Sequence, residues 1–262
     1  MKTNNEDGTY LFDSAVFGPL TSRRLGRSLG VNLSPTDTKL CNFNCAYCEC
    51  GWSDSTGVSK NEFPAVDEVL KQMRETLEKE SNIDHITLAG NGEPTLHPGF
   101  KLIIDGLIEL RNELTPEAKI AVLTNGTKLD SKRVSAALAK VDNVQIKLDA
   151  GLESTFRRIN SPNSRFSLDQ LLKNLQNVEF DFQLQTMFVD GEYDNRPIGN
   201  ASDLEIRKWL KVVYSIFPAA VHIYTLDRNA PLKGVKKVSN DKLQQIGAQV
   251  ERLGIKSYTY TS

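Results

Sequence analysis

An α/β fold with a parallel sheet, curled into a barrel or partial barrel, is predicted from three features of the 262-residue sequence. Long segments carry apolar residues at helical spacing, short apolar runs fall between them, and nothing in the element order suggests the reversal point of a flat, doubly wound sheet. Taken in order, "SLGVNLSP" (28–35) reads as the first strand. In "FPAVDEVLKQMRETLEKES" (63–81), Val66, Val69, Leu70, Met73 and Leu77 fall on one helical face, and the strand-like "DHITLAG" (84–90) follows. The alternation then repeats: helix 100–114 and strand 119–126, helix 131–141 and strand 143–150, helix 167–178 and strand 181–189, helix 203–217 and strand 220–227. A last helix, 241–254, precedes "IKSYTY". This gives about six strands joined by helical crossovers, whose right-handedness sets the helices outside a curled sheet.

Residues 1–15 read as an N-terminal tail, disordered over 1–9, and 16–262 as a single domain. Two connections are long, 51–63 and 190–202, and long loops in compact domains are often functional lids.

Net charge is −1, which lacks the footprint of a strong nucleic-acid binder. No apolar run follows the opening "MKTNNEDGTY", and none approaches the roughly 20 residues of a membrane span, so a cytoplasmic, reducing setting with no membrane partner is expected. The basic spots are "SRRLGR" (22–27) and Arg157 with Arg158; these read as solvated faces or ion pairs, with Arg23 and Arg24 also placed to meet an acidic substrate.

All four cysteines of the chain lie within "CNFNCAYCEC" (41–50). A disulfide framework would spread its cysteines, so the cluster reads as a metal or redox site. Cys41, Cys45 and Cys48 are spaced C-x3-C-x2-C, and Cys50 adds C-x-C. Thiolates so spaced converge on a soft metal centre. Spacing leaves two centres open: a structural zinc closed by Cys50 as fourth ligand, or an iron–sulfur cube on three cysteines with one iron free. Elsewhere, "GRSLG" (26–30) fits a nucleophile-elbow pattern but precedes a strand rather than a helix, and "GNGEPT" lacks the third glycine of a dinucleotide fingerprint. His85, His97 and His222 show no metal-binding pairing.

"CNFNCAYC", with the aromatic Tyr47 directly before its last cysteine, resembles the signature loop of the radical S-adenosylmethionine (SAM) superfamily. "AGNGEPTLHP" (89–98) resembles that family's glycine-glutamate-proline motif, which binds the amino end of SAM. "GPLTSRRLGRSLGVNL", "LTNGT", "KLDA" and "DRNAPLKGVKKVSN" extend the resemblance over about residues 16–250, to a subgroup of Fe-S oxidoreductases related to wyosine-forming tRNA enzymes. The resemblance implies a partial (β/α)6 TIM-like barrel with parallel strands.

It also implies one 4Fe-4S cluster on Cys41, Cys45 and Cys48, whose free iron takes the methionine amine and carboxylate of SAM. Reductive cleavage then gives a deoxyadenosyl radical that abstracts hydrogen from a substrate. Carried over by position, Tyr47 would contact the adenine through its backbone, and Asn91, Gly92 and Glu93 would meet the methionine end. Asn125 and Asp149 are expected at the ribose and methionine carboxylate; turn and helix-cap chemistry compete for them. Lys147, two residues before Asp149 on the same strand, should share its inward face and belong to the site or pair with a carboxylate. Arg228 is a further candidate, for a substrate anion or the SAM carboxylate. A flavodoxin or ferredoxin would supply the electron.

The wyosine enzymes are expected to carry further cysteines for an auxiliary cluster, and none remain here. That weakens a wyosine-type reaction, and the modest charge weakens a large RNA substrate. Small-molecule, tRNA and protein substrates stay open, as does the alternative of a four-cysteine zinc-binding barrel with an interaction or RNA-binding role. Cys50 reads as inert, as a thiol beside the cluster, or as the zinc ligand of that alternative.

Overall fold

The computed structural model describes residues 9–53, 63–163, 165–193, 195–227, 230 and 232–261, with the backbone of 2–4. Strands β1 (Lys2–Asn4) and β2 (Tyr10–Phe12) pair antiparallel; β3 (Val16–Ser22) and β4 (Gly26–Val31) form a hairpin. Then follow α1 (Val66–Leu77), β5 (His85–Leu88), α2 (Phe100–Leu114), β6 (Lys119–Thr124), α3 (Lys132–Leu138) and β7 (Asn143–Lys147). Next come α4 (Glu153–Asn160), α5 (Leu168–Gln176), β8 (Gln183–Met187), β9 (Val189–Tyr193) and β10 (Arg196–Pro197). The chain continues through α6 (Asp203–Ile216), β11 (Ala220–Tyr224), β12 (Val235–Lys237), α7 (Asn240–Glu251) and β13 (Ser257–Tyr260).

Eight strands form one sheet in the order β13-β11-β8-β7-β6-β5-β4-β3, with every neighbouring pair parallel except the β3–β4 hairpin. The sheet curls into a half-barrel, as expected for the curled form of the parallel sheet. Period-two alternation decides which face is which. Ile86, Leu88, Ile120, Val122, Ile146, Leu184, Val221 and Ile223 are fully buried under the helices. There they meet Ile103, Ile104 and Leu107 of α2 and Trp209 of α6, each worth about 1.5–3 kcal/mol on burial. The alternate positions, Gln145 and Lys147 on β7, Gln183 and Gln185 on β8, and His222 and Tyr224 on β11, fall on the concave face, where the register sets Lys147 beside Gln185 and Gln185 beside His222. A polar concave face is what a barrel that holds a ligand needs.

Local chemistry fixes several ends. Ser167, Ser202 and Ser239 cap α5, α6 and α7, accepting from the N–H groups of Gln170, Glu205 and Lys242. Glu205 of α6 is buried and caps α4 in turn, accepting from the Gly151 and Leu152 N–H groups at 2.5 and 3.2 Å.

Four departures from the sequence reading have physical causes. The antiparallel strand β3 was unforeseen because Gly18 and Pro19 interrupt its pattern; Pro19 is tolerated beside a register shift on an edge strand. Helix α4 was unforeseen because "ESTFRRIN" is short and mostly polar. The expected loop 190–202 instead contributes β9 and β10 to a three-stranded sheet with β12, where a Cβ on Gly191 would lie 1.9 Å from the Gly234 carbonyl oxygen. The expected tail joins the fold: Leu11 and Phe12 are buried, and the Phe12 backbone is bonded to Asn91 in both directions, at 2.8 Å each way. Most of the other long connection, 54–62, lies outside the described residues. No helix among the described residues is long and apolar enough to cross a membrane.

On the concave face, His222 is buried between Gln183 and Tyr260 and stacks on the Tyr258 and Tyr260 rings. Gln183 Oε1, an acceptor, lies 2.5 Å from Nε2, so that nitrogen carries the proton and Nδ1 accepts from the Tyr260 hydroxyl at 2.9 Å. Burial, then the charge of Arg24, pushes the His222 pKa down from 6.5 to about 4. Over that interval the unfolded chain binds a proton that the folded chain refuses, so stability should fall as pH drops from 6.5 toward 4. His222→Gln should flatten this slope in urea titrations; identical slopes in both proteins would refute the assignment.

Candidate metal and cofactor site

The cysteine loop leaves the C-terminal end of β4 and is clamped on two sides. On one side Leu40 pairs with Gly92 as a parallel bridge: the Leu40 N–H donates to the Asn91 carbonyl at 2.9 Å, and the Glu93 N–H to the Leu40 carbonyl at 3.0 Å. A Cβ on Gly92 would lie 1.8 Å from the Leu40 oxygen, so only glycine permits this approach. On the other side Phe43 bridges Pro162 and buries its ring against Phe156 and Phe166, while the Ala46 N–H donates to the Ile159 carbonyl at 2.8 Å. The middle of "CNFNC" is therefore an anchor, and the cysteines flank it.

Cys41, Cys45 and Cys48 line one cavity of about 190 Å³, together with Glu93, Asn125 and Lys147. Cys41 Sγ accepts from the Phe43 N–H at 3.4 Å, and Cys45 Sγ from Asn160 Nδ2 at 3.5 Å. Burial pushes the Cys41 and Cys45 thiols up, so ionising them here calls for a nearby positive charge, which a metal supplies. Lys39 gives part of it. Buried, it donates to the Gly51 carbonyl at 2.8 Å; burial works against its charge, yet Cys48, Cys41 and Cys45 hold its pKa above the ordinary lysine value.

Glu93 opens the turn Pro94–Leu96 and is 3% exposed. Its Oε1 accepts from the Thr95 N–H (3.2 Å), the Thr95 hydroxyl (2.5 Å) and the Thr124 hydroxyl (2.6 Å), and its Oε2 from the Asn125 N–H (2.7 Å). No cation pairs with it among the described residues. Burial raises its pKa, against those four hydrogen bonds, which lower it. A carboxylate held rigidly without a counter-ion on a cavity wall is a receptor for an ammonium group.

The other expected site residues divide. Lys147 and Asn125 line the cavity, as does Gly92, although the approach that demands glycine at 92 is to Leu40 rather than to a ligand. Tyr47 also lines it, but through a side chain fixed from behind: its hydroxyl bonds Asp149 and accepts from Lys147 Nζ at 2.9 Å. Asn125 Oδ1 accepts from the Thr127 N–H at 3.0 Å, the turn chemistry that competed with a ligand role, and its Nδ2 donates to Asn42 Oδ1 at 2.7 Å, bracing the cysteine loop.

Two expected residues spend their side chains within the protein. The Asn91 side chain faces away from the cavity and is consumed by the Phe12 backbone and the Pro35 carbonyl (2.9 Å). Asp149 is likewise consumed: Oδ1 accepts from the Met187 N–H at 2.9 Å, and Oδ2 from Asn160 at 2.6 Å as well as bonding Tyr47. It braces Tyr47 and Asn160 behind the cysteine cavity. Burial alone would lower the Lys147 pKa, but Asp149, 3.8 Å away, raises it, so its ammonium is kept. Arg228 lies outside the described residues. Asn160 carried no signal because only the folded chain brings it to Cys45, while Lys39 and Asn42 adjoin Cys41 in sequence but match no motif position.

Cys50 stands beside Cys48, the two thiols hydrogen-bonded to each other. Its thiol donates to the Gly90 carbonyl at 3.4 Å and lines a second, larger cavity of about 910 Å³, which meets the first along Ala89 and Gly90.

A half-barrel of parallel strands with three cysteines and a buried glutamate at its strand C-termini defines the protein's class, and the comparisons agree. The profile of the Radical SAM superfamily matches residues 36–201. The chain is 31% identical over 224 residues to UPF0026 protein slr1464 of Synechocystis sp., covering 84% of this chain and 78% of that protein. It is 30% identical over 247 residues to a protein of Brachyspira hyodysenteriae named GTPase Obg, of which it spans 34%. It is 25% identical over 238 residues to a probable GTP 3',8-cyclase of Saccharolobus islandicus, covering 89% of this chain and 68% of that one. Among solved structures, a radical SAM methyltransferase from Sphaerobacter thermophilus superposes with a TM-score of 0.66 at 14% identity, over 100% of this chain and 72% of that one. TYW1 with a lysine-pyruvate adduct bound gives 0.58 at 14% identity, over 86% and 73%. The chain belongs to the radical SAM superfamily and, within it, to the UPF0026 proteins. It is an enzyme of that superfamily.

Proposed function

We propose that the chain carries one 4Fe-4S cluster on Cys41, Cys45 and Cys48, binds SAM beside it, and abstracts hydrogen from a small-molecule substrate. The observation that carries this reading is one cavity lined by three thiols and by a buried carboxylate without a counter-ion. The donor set fits a cluster better than a single ion. A zinc ion needs its thiolates within about 2.3 Å of one point, whereas a cube gives each cysteine its own iron. No three histidine, cysteine or acidic side chains among the described residues gather closely enough for one ion, and Cys50 borders the larger cavity.

When bound, the cluster and SAM together supply an electron and a deoxyadenosyl radical. The chain's own residues orient and exclude. Glu93 receives the ammonium of the methionine moiety, and Gly92 brings the cysteine loop against it. Tyr47, held by Asp149 and Lys147, forms the wall on which the adenine side rests. Lys39 offsets the negative charge of the thiolates. A flavodoxin or ferredoxin serves as reductant, and the four free thiols suit the cytoplasm. The probable GTP cyclase among the relatives makes a small-molecule substrate a natural reading for this chain too.

Anaerobic reconstitution with iron and sulfide tests this. About four irons per chain are expected, with an EPR spectrum of the reduced protein that SAM perturbs. Cys50→Ala should keep the iron and the spectrum, and Cys45→Ser should lose both. One tightly held zinc, lost on Cys50→Ala, with no response to SAM, would retire the radical mechanism in favour of a structural zinc module.

A further inference from the structure

The larger cavity, about 910 Å³, lies inside the half-barrel, where the two edges of the sheet approach each other. Its size is that of a generous small-molecule site. Arg23, at the tip of the β3–β4 hairpin, reaches the opposite edge, donating to the Thr261 carbonyl at 3.0 Å and pairing with Asp227 at 3.3 Å. Gly30 lets the Phe17 ring of the wall pack flat on the sheet, since a Cβ there would lie 2.0 Å from that ring.

The walls carry flat rings, Tyr10, Phe12, Phe17, Tyr224 and Tyr260, and among them sits Arg24. Its guanidinium lies over the Tyr224 ring, 4.5 Å from the centroid, and donates to Gln185 Oε1 at 3.2 Å. Gln185 Oε1 also accepts from the Tyr224 hydroxyl at 3.2 Å, so ring and amide together fix the plane of the guanidinium. Arg23, Arg27, Arg74, Arg111 and Arg157 each pair with a carboxylate. Arg24, which lines the cavity, pairs with none among the described residues. A guanidinium presents five N–H donors in a planar fork, and only one side-chain acceptor is taken up here.

We propose that this cavity holds a small, flat anion, an aromatic or heteroaromatic molecule bearing a carboxylate or a phosphate, with the anion on the fork of Arg24 and the ring against the aromatic wall. That this molecule is the substrate of the radical reaction rests on the function proposed above; the anion site itself does not. Ala89 and Gly90, shared by both cavities, put the bound ring next to the SAM pocket.

Isothermal titration of the full chain, without iron or SAM, tests the site with phenyl phosphate, benzoate and the neutral benzamide. At least one anion should bind with a Kd of about 1 mM or tighter, the level a buried ring and one charge-assisted contact sustain. Benzamide should bind about tenfold more weakly, and the better anion tells phosphate from carboxylate. Arg24→Gln should weaken the anion by about tenfold and leave benzamide unchanged, while Arg27→Gln should change neither. Arg24→Lys, which keeps the charge without the fork, should fall between and serves if the glutamine variant melts early. Equal binding of benzamide, no effect of the Arg24 substitutions, or no binding of either anion would each overturn the site. Because no iron is present, such a failure leaves the cluster chemistry standing, and failed reconstitution leaves the anion site standing.

Discussion

Gly92→Ala should both destabilise the protein and strip it of iron. The added Cβ would sit 1.8 Å from the Leu40 oxygen, 2.5 Å from the Leu40 carbonyl carbon and 2.7 Å from Ser34 Oγ. Two of these atoms are backbone and cannot swing aside as a long side chain would. Relief requires Leu40 to retreat, which breaks the Leu40–Asn91 and Glu93–Leu40 hydrogen bonds that dock the cysteine loop on the glutamate turn. Overpacking of this kind, with the bonds lost, costs about 3 kcal/mol, or roughly 6–12 °C in Tm for a chain of this size. Cys41, the residue after Leu40, would leave its place, so iron content after reconstitution should fall in step. Calorimetry and iron analysis on the same sample check this; an unchanged Tm with full iron would show that the bridge does not hold the loop.

Glu93→Gln should move binding and stability in opposite directions. SAM affinity should drop by roughly two orders of magnitude, because the ammonium loses a buried charged partner. The ligand-free protein, in contrast, should gain stability at neutral pH. Burial raises the folded pKa of Glu93 above its ordinary 4.5. For a carboxyl group raised on folding, the favourable form is the protonated one: its contribution is complete below 4.5 and is lost as pH climbs through the folded value. Above that value an ionised Glu93 is buried without a counter-ion among the described residues; glutamine removes the charge, and its NH2, now facing a donor that the carboxylate accepted from, offsets part of the gain. Urea titrations across this range, with SAM titration of the reconstituted protein, provide the check; undiminished SAM affinity would remove Glu93 from the site.

The chemistry of this site was legible because its parts are local in sequence. The cysteines occupy ten residues, and glycine, glutamate and proline are consecutive, so residue type and spacing carry the signal before any tertiary contact is known. The helices over 66–77, 100–114, 203–216 and 240–251 were legible from apolar periodicity, and the parallel strands from their alternation with helices. What the sequence withheld depends on direction in space. Asn91 and Asp149 stand where ligands would be expected, at strand ends, but the side chain of the first turns to the Phe12 backbone and that of the second to Tyr47 and Asn160. Gly92 was expected at the methionine end, and the contact that demands glycine there, the close approach of Leu40, shows only in the folded chain. Asn160 reaches Cys45 through the fold, and no spacing rule contains it. Arg24 was visible as one of a basic pair, but only the structure separates it from Arg23, which is spent on the opposite edge of the sheet.

That edge contact bears on the order in which the molecule can be completed during synthesis. Arg23 meets the Thr261 carbonyl across 238 positions of sequence, and Phe12 meets Asn91 across 79. Contacts of such separation form late, since the loop they close must first exist. The β3–β4 hairpin is thus made well before its partner at the other edge of the sheet, and the wall carrying Arg24 stays unfinished until residue 261 has emerged.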